Sequence, residues 1–273
     1  MISRNVYFLS SRTAITAQTL GQSLLAQFPE VKFSVVTIPY IDSVQKAEII
    51  VKRINQESQQ TALKPIVVST LADESISRII HQSDALVLDL FERILPDMES
   101  LLNQHSAHQT GLSHCISNQR SYESRIEAID FSMIHDDGGT TRFYDKADII
   151  IVGVSRSGKT PTCLYLALQF GLKAANYPIT EEDMMSENLP KPIKAYQNKL
   201  FGLTTNANRL SHIRQQRQPQ SRYASMEQCH KEIQAAERMF RQFNVPSLDT
   251  TTISIEEIAT TIVELVGLKR ANK

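Results

Sequence analysis

The strongest chemical signal in this chain is eight residues long: Gly153, Val154, Ser155, Arg156, Ser157, Gly158, Lys159 and Thr160. Their spacing, Gly-x-x-x-x-Gly-Lys-Thr, is the phosphate-binding loop (P-loop) pattern. Two flanking glycines let the backbone curl so that several N–H groups point at one anion. A helix following the loop adds its positive N-terminal end. Lys159 is placed to reach terminal phosphates, and Thr160 to offer a hydroxyl to Mg²⁺. All eight residues are therefore expected to hold a nucleotide phosphate, with Lys159 catalytic and Thr160 a metal ligand.

Phosphoryl transfer also needs charge neutralisation and a positioned hydroxyl. Asp136 and Asp137, in the glycine turn ahead of the loop strand, are candidates for binding metal or accepting a hydroxyl proton. A surface Asx turn is the plainer reading of the same residues. Asp89, after the apolar run Leu86-Val87-Leu88, has the local form of a metal carboxylate, but its place in the other half of the chain favours a structural role. Arg209, Arg214, Arg217 and Arg222 either close over phosphate as bidentate forks or form a solvated basic face. The corner Ser10-Ser11-Arg12-Thr13 is a weaker anion site. His105, His108 and His114 fall in a polar stretch without cysteine or carboxylate spacing, so a linker is favoured over a metal site.

These residues must be positioned by regular elements. Residues 149–152 read as a buried strand and 163–170 as a helix, with Pro161 in the first turn where its missing N–H costs little. Upstream, strands are expected at 6–9, 33–38 and 65–69, and helices at 14–28, 43–59, 74–82 and 91–104. The apolar run 85–89 fits either state. Residues 122–134 form a helix whose expected buried side is Ile126, Ile129 and Met133. Further strands are expected at 173–177, 199–204 and 247–252. Helices are expected from 181 and at 206–215, 225–243 and 255–266, the last opened by a near capping box, Ser254 to Glu257. The alternation argues for an α/β fold with mostly parallel sheets. Its expected division is an N-terminal Rossmann-like domain (1–105), a linker (106–121) and a P-loop kinase-like domain (122–273).

Lys plus Arg and Asp plus Glu both number 29 in 273 residues, so no global field draws the chain to nucleic acid or an anionic membrane. Three scattered cysteines give no disulfide framework and no zinc spacing. No stretch approaches the ~20 apolar residues of a membrane span. The N-terminus reads as a strand, not a signal peptide. A cytoplasmic protein with neither nucleic-acid nor membrane partners is the resulting expectation.

Several further stretches carry a family resemblance: 129–138, 153–162, 174–178, 199–204, 221–225 and 254–259, with 13–17 near the N-terminus. Together they closely resemble the family of phosphoenolpyruvate synthase and pyruvate, phosphate dikinase regulatory proteins, over nearly the whole chain. The resemblance implies a bifunctional serine/threonine protein kinase, with ADP as phosphoryl donor and phosphoenolpyruvate synthase as protein substrate. It implies a second activity that removes the threonine phosphate with inorganic phosphate and releases pyrophosphate. It places the nucleotide on 153–160. The family pattern has an acidic residue where this chain has Ser11; if that carboxylate serves catalysis, the resemblance implies either that Ser11 weakens one activity here or that Asp136 and Asp137 carry the role. A homodimer is a candidate assembly.

Overall fold

The computed structural model describes residues 3–109, 119–186 and 188–268, with residues 119–121 described by backbone alone. The chain divides into two compact units, Met1–Cys115 and Ile116–Lys273.

In the first unit, β1 (Ser3–Ser10) is followed by α1 (Ile15–Leu25), β2 (Lys32–Ile38), α2 (Val44–Thr61), β3 (Ile66–Thr70), α3 (Glu74–Ile80), β4 (Leu86–Asp89) and α4 (Leu90–Leu102). All pairings are parallel, in the order β2-β1-β3-β4. β1 buries Val6 to Leu9 on both faces, as a central parallel strand with helices on each side must. Tyr7 and Leu9 join one apolar layer, Val6 and Phe8 the other. The ambiguous run 85–89 is strand β4. α1 docks through small residues, Ala17 and Gly21, while Ile15, Leu20 and Leu24 stay exposed. A Cβ on Gly21 would lie 2.3 Å from the Phe8 ring, so that helix approaches the sheet as closely as glycine permits.

The second unit runs α5 (Gln119–Ile134), β5 (Ile149–Gly153), α6 (Lys159–Tyr165), β6 (Ala174–Pro178), α7 (Glu181–Met184), α8 (Lys191–Lys194), β7 (Leu200–Thr204), α9 (Ala207–Gln215), α10 (Met226–Gln242), β8 (Ser247–Asp249) and α11 (Ile255–Val266). The sheet is again parallel, in the order β6-β5-β7-β8. All five residues of β5 are buried. α6 continues into a π-helical turn, Leu166–Phe170, ended by left-handed Gly171. α11 opens with a complete capping box between Ser254 and Glu257.

Two expectations need correction. The buried side of α5 is Ala128, Phe131 and Ser132, continued by His135 just past its end, whereas Ile126 and Met133 are exposed and Ile129 only half-buried. The helix meets β6 and the π-helical turn, and its buried side mixes Phe131 with small Ala128 and polar Ser132, so apolar spacing alone gave the wrong phase. The helix also begins at Gln119, inside the stretch expected to be linker; most of that stretch, with His114 and Cys115, lies outside the described residues.

Candidate functional site

β5 delivers the chain into the loop at Gly153. A Cβ there would meet the Leu203 carbonyl oxygen at 2.5 Å and the Ser157 hydroxyl at 2.8 Å, so its requirement is close approach to β7. Gly158 has φ +95°, a left-handed conformation that glycine adopts without strain, and caps α6 with no side-chain bond. Between them Arg156 sits at φ 73°, a conformation costly for a residue with a Cβ. The Ser157 hydroxyl is buried without a partner among the described residues.

Lys159 is 4 % exposed, and its ammonium donates to the Val154 carbonyl at 3.1 Å. Burial pulls its pKa down from 10.5 to about 8, against the opposing charges of Asp137 and Asp136. A buried ammonium with one acceptor among the described residues is under-solvated, and an anion beside it would satisfy it.

The turn after α5 faces the start of α6. Asp136–Gly138 form a 3₁₀ turn in which Asp137 is left-handed, φ 46°. Thr160 donates its hydroxyl to Asp136 Oδ1 at 2.8 Å. Asn176, from β6, donates its amide to the same carboxylate oxygen, and its own Oδ1 accepts from the Asp137 N–H at 2.9 Å. The Asn176 N–H in turn donates to the His135 carbonyl at 3.1 Å. One buried asparagine therefore fixes the turn that carries both aspartates. Its only sequence signal was a polar residue inside the short apolar strand AANYP. Lys159, Thr160, Asp136 and Asp137 thus share one neighbourhood. The Thr160 hydroxyl and the Asp136 carboxylate converge as two oxygen donors, the ligand type that suits Mg²⁺.

The four arginines do not form one lid. Arg214 is wholly buried. It pairs with Glu232 at 2.6 Å and donates to the carbonyls of Ser155 at 3.0 Å and Tyr223 at 2.9 Å, stacking on the Tyr223 ring at 4.0 Å. The Tyr223 hydroxyl lies 2.8 Å from Ser155 Oγ. Arg214 therefore props the loop from behind, a role that is neither of the two expected. Arg209 donates to the Thr251 carbonyl, and Arg222 lies 4.0 Å from Glu181.

Outside this unit, Asp89 caps α4 through the N–H groups of Phe91 and Glu92 and accepts from the hydroxyls of Ser69 and Ser77. Both its oxygens are thereby engaged, in keeping with the structural reading. It lies within metal-ligand spacing of His81 and Glu92. His105 and His108 instead face Glu99. At the N-terminal corner, Ser10 Oγ accepts from the Arg12 N–H at 3.2 Å, and left-handed Ala14 precedes α1 without a side-chain cap.

Among the described residues, no helix is long and apolar enough to cross a membrane. The chain is 49 % identical over 269 residues to a relative from Legionella pneumophila strain Corby, covering 98 % of this chain and 99 % of the relative. It is 47 % identical over 272 residues to one from Pseudomonas fluorescens strain Pf0-1, with both chains fully covered. A relative from Marinobacter nauticus is 48 % identical over 269 residues, covering 98 % of this chain and 99 % of its own. Their names describe all three as phosphoenolpyruvate synthase regulatory proteins. The family model described as kinase/pyrophosphorylase matches residues 6–263. With that match spanning most of its length, this chain belongs to the kinase/pyrophosphorylase family.

Proposed function

We propose that this protein is a bifunctional regulator of phosphoenolpyruvate synthase, an ADP-dependent serine/threonine protein kinase and a phosphate-dependent, pyrophosphate-releasing phosphorylase. The observation that carries the reading is the Thr160–Asp136 contact at 2.8 Å, beside an under-solvated buried Lys159. The sheet order supports it. β5 is flanked by β6 on one side and β7 on the other, so the loop lies at a switch point beyond the strand's carboxyl end, where α/β sheets bind ligands. β1 has the same central place in the first sheet, which supports a Rossmann-like reading of the first unit and a P-loop reading of the second.

In the forward direction the threonine oxygen attacks the β-phosphorus of ADP. The bond to the bridging oxygen breaks, AMP leaves, and the threonine proton is released. In the reverse direction an oxygen of inorganic phosphate attacks the phosphothreonine phosphorus. The threonine oxygen leaves and takes up a proton, and pyrophosphate is formed. Both directions pass a phosphoryl group between a threonine oxygen and a phosphate oxygen, so one cradle serves both. The amides of residues 153–160 and Lys159 hold the phosphates, and Thr160 with Asp136 would hold Mg²⁺. Bound Mg²⁺ supplies neutralisation of charge on the transferring phosphoryl group. Asp137, on the same turn and close enough to act on the Lys159 charge, accepts the hydroxyl proton.

The test is incubation with purified phosphoenolpyruvate synthase and ADP freed enzymatically of ATP, followed by mass spectrometry. A phosphothreonine on the synthase is expected. Activity that returns only with ATP overturns the ADP assignment. Binding of the synthase with no phosphate incorporated makes the protein a nucleotide-gated binding module instead. Incorporation confined to pyruvate, phosphate dikinase reassigns the partner.

A further inference from the structure

Beside the loop lies an open cavity of about 490 Å³, lined by Ser155, Arg156, Arg217, Gln218 and Tyr223. No carboxylate lines it. Its walls offer two guanidinium groups, two hydroxyls and a carboxamide. Of the arginines in the segment after β7, Arg209, Arg214 and Arg222 are occupied by Thr251, Glu232 and Glu181. Arg217 has no side-chain partner among the described residues, and neither has Arg156. Arg217 and Arg156 therefore share one cavity.

The backbone that presents them is held in place. Arg156 keeps its left-handed conformation at a position where glycine would be unstrained, and it is exposed there. Such strain persists when surrounding contacts enforce it, and clusters at ligand clamps. The enforcing contacts are visible. Buried Arg214 ties the Ser155 carbonyl to the Tyr223 carbonyl, and the Ser155 and Tyr223 hydroxyls are bonded to each other. Arg217 follows α9 directly, its N–H donating to the Arg214 carbonyl at 3.1 Å. One buried arginine thus fixes both banks of the cavity. Arg156 also adds to the positive field at Lys159, so three cations gather around the loop.

We propose that this cavity is an oxyanion subsite in which Arg156 and Arg217 clamp a phosphate group distinct from the one held by the loop amides and Lys159. Two unpaired guanidinium forks, with hydroxyls beside them and no carboxylate, match a tetrahedral dianion. The inference rests on the phosphotransfer reading of the loop, in which two phosphates must lie side by side in either direction. The same chemistry has two sources: inorganic phosphate, and the phosphate of AMP.

The test uses the full chain as Arg156→Gln, Arg217→Gln and Arg217→Lys, each checked for native melting. Binding of inorganic phosphate and of AMP is followed separately by ³¹P NMR titration. Each glutamine variant is expected to weaken binding of at least one of the two by roughly tenfold or more, the scale of a lost charge-assisted pair. Arg217→Lys, which keeps the charge but not the fork, is expected to fall between. The arm that weakens identifies the source. In phosphorolysis the matching change, read on Arg217→Gln, is a raised KM for phosphate larger than any fall in kcat. Wild-type affinity for both ligands in both glutamine variants overturns the subsite, as does absence of binding by the wild-type chain. Lys159→Ala separates this from the underlying reading: undiminished ADP binding there sinks the loop assignment whatever the arginine variants do.

Discussion

A lysine ammonium that is 4 % exposed, with a single carbonyl as acceptor among the described residues, is held against its own hydration. Its pKa near 8 gives this pH consequences. Between pH 8 and 10.5 the unfolded chain keeps a proton that the folded chain has lost, so this group makes stability rise with pH across that window. Below pH 8 both states are protonated and the full penalty stands, on the order of 3 kcal/mol. Lys159→Met is expected to remove that rise, as read from urea unfolding at both ends of the window. Anion binding stabilises the ammonium, so ADP binding above pH 8 takes up a proton, and its affinity falls as pH rises, by at most about tenfold per unit. Calorimetry in buffers of different ionisation enthalpy measures the uptake; zero uptake there would mean the anion does not meet Lys159. In catalysis, Lys159→Ala is expected to fold and to lose roughly 10²- to 10³-fold in kinase rate, the scale of one preorganised electrostatic group. Asp136→Asn, which spares the fold but removes the carboxylate beside Thr160, is expected to raise the Mg²⁺ concentration needed for half-maximal rate. An unchanged Mg²⁺ dependence would free Asp136 from that role.

At the scale of elements, the site is a strand, a turn and a helix held against a second turn. Gly153→Ala tests that packing. The new Cβ would sit 2.5 Å from a backbone carbonyl of β7, which cannot swing aside. The expected loss is roughly 1–3 kcal/mol, seen as a lower Tm, with ADP binding falling further than stability does because the loop is displaced. Full ADP affinity in a destabilised variant would separate the loop from the nucleotide. The strand-loop-helix was legible because its signals are local: four apolar residues, two glycines at fixed spacing, a lysine and a threonine. Asp136 was legible only as a candidate, since its contact with Thr160 spans 24 positions. Asn176 and Arg214 were missed in their real roles for the same reason. Their partners lie 40 and 59 positions away, and no local period records them. The phase of α5 failed differently: Ala128, Ser132 and His135 face inward where a period count favours isoleucine and methionine.

At the scale of the molecule, two sheets of similar order carry different chemistry. The Gly-x-x-x-x-Gly-Lys-Thr loop belongs to the second unit, while the first carries the corner at Ser10–Thr13. Equal numbers of acidic and basic residues leave no net charge to attract phosphate, so the local cations Lys159, Arg156 and Arg217 must do so. If both directions use this one cradle, three results follow together. ADP inhibits phosphorolysis competitively with inorganic phosphate, because the diphosphate of ADP and the pyrophosphate product fill the same positions. Lys159→Ala damages both activities, each by roughly 10²-fold or more. Substitution of Arg12 or Thr13 leaves the balance between them unchanged. Steady-state rates in both directions, on the wild type and these variants, decide the matter. Phosphorolysis surviving Lys159→Ala, and failing instead on substitution of Arg12 or Thr13, would place the reverse reaction at the first unit and give the protein two phosphate sites for its two activities.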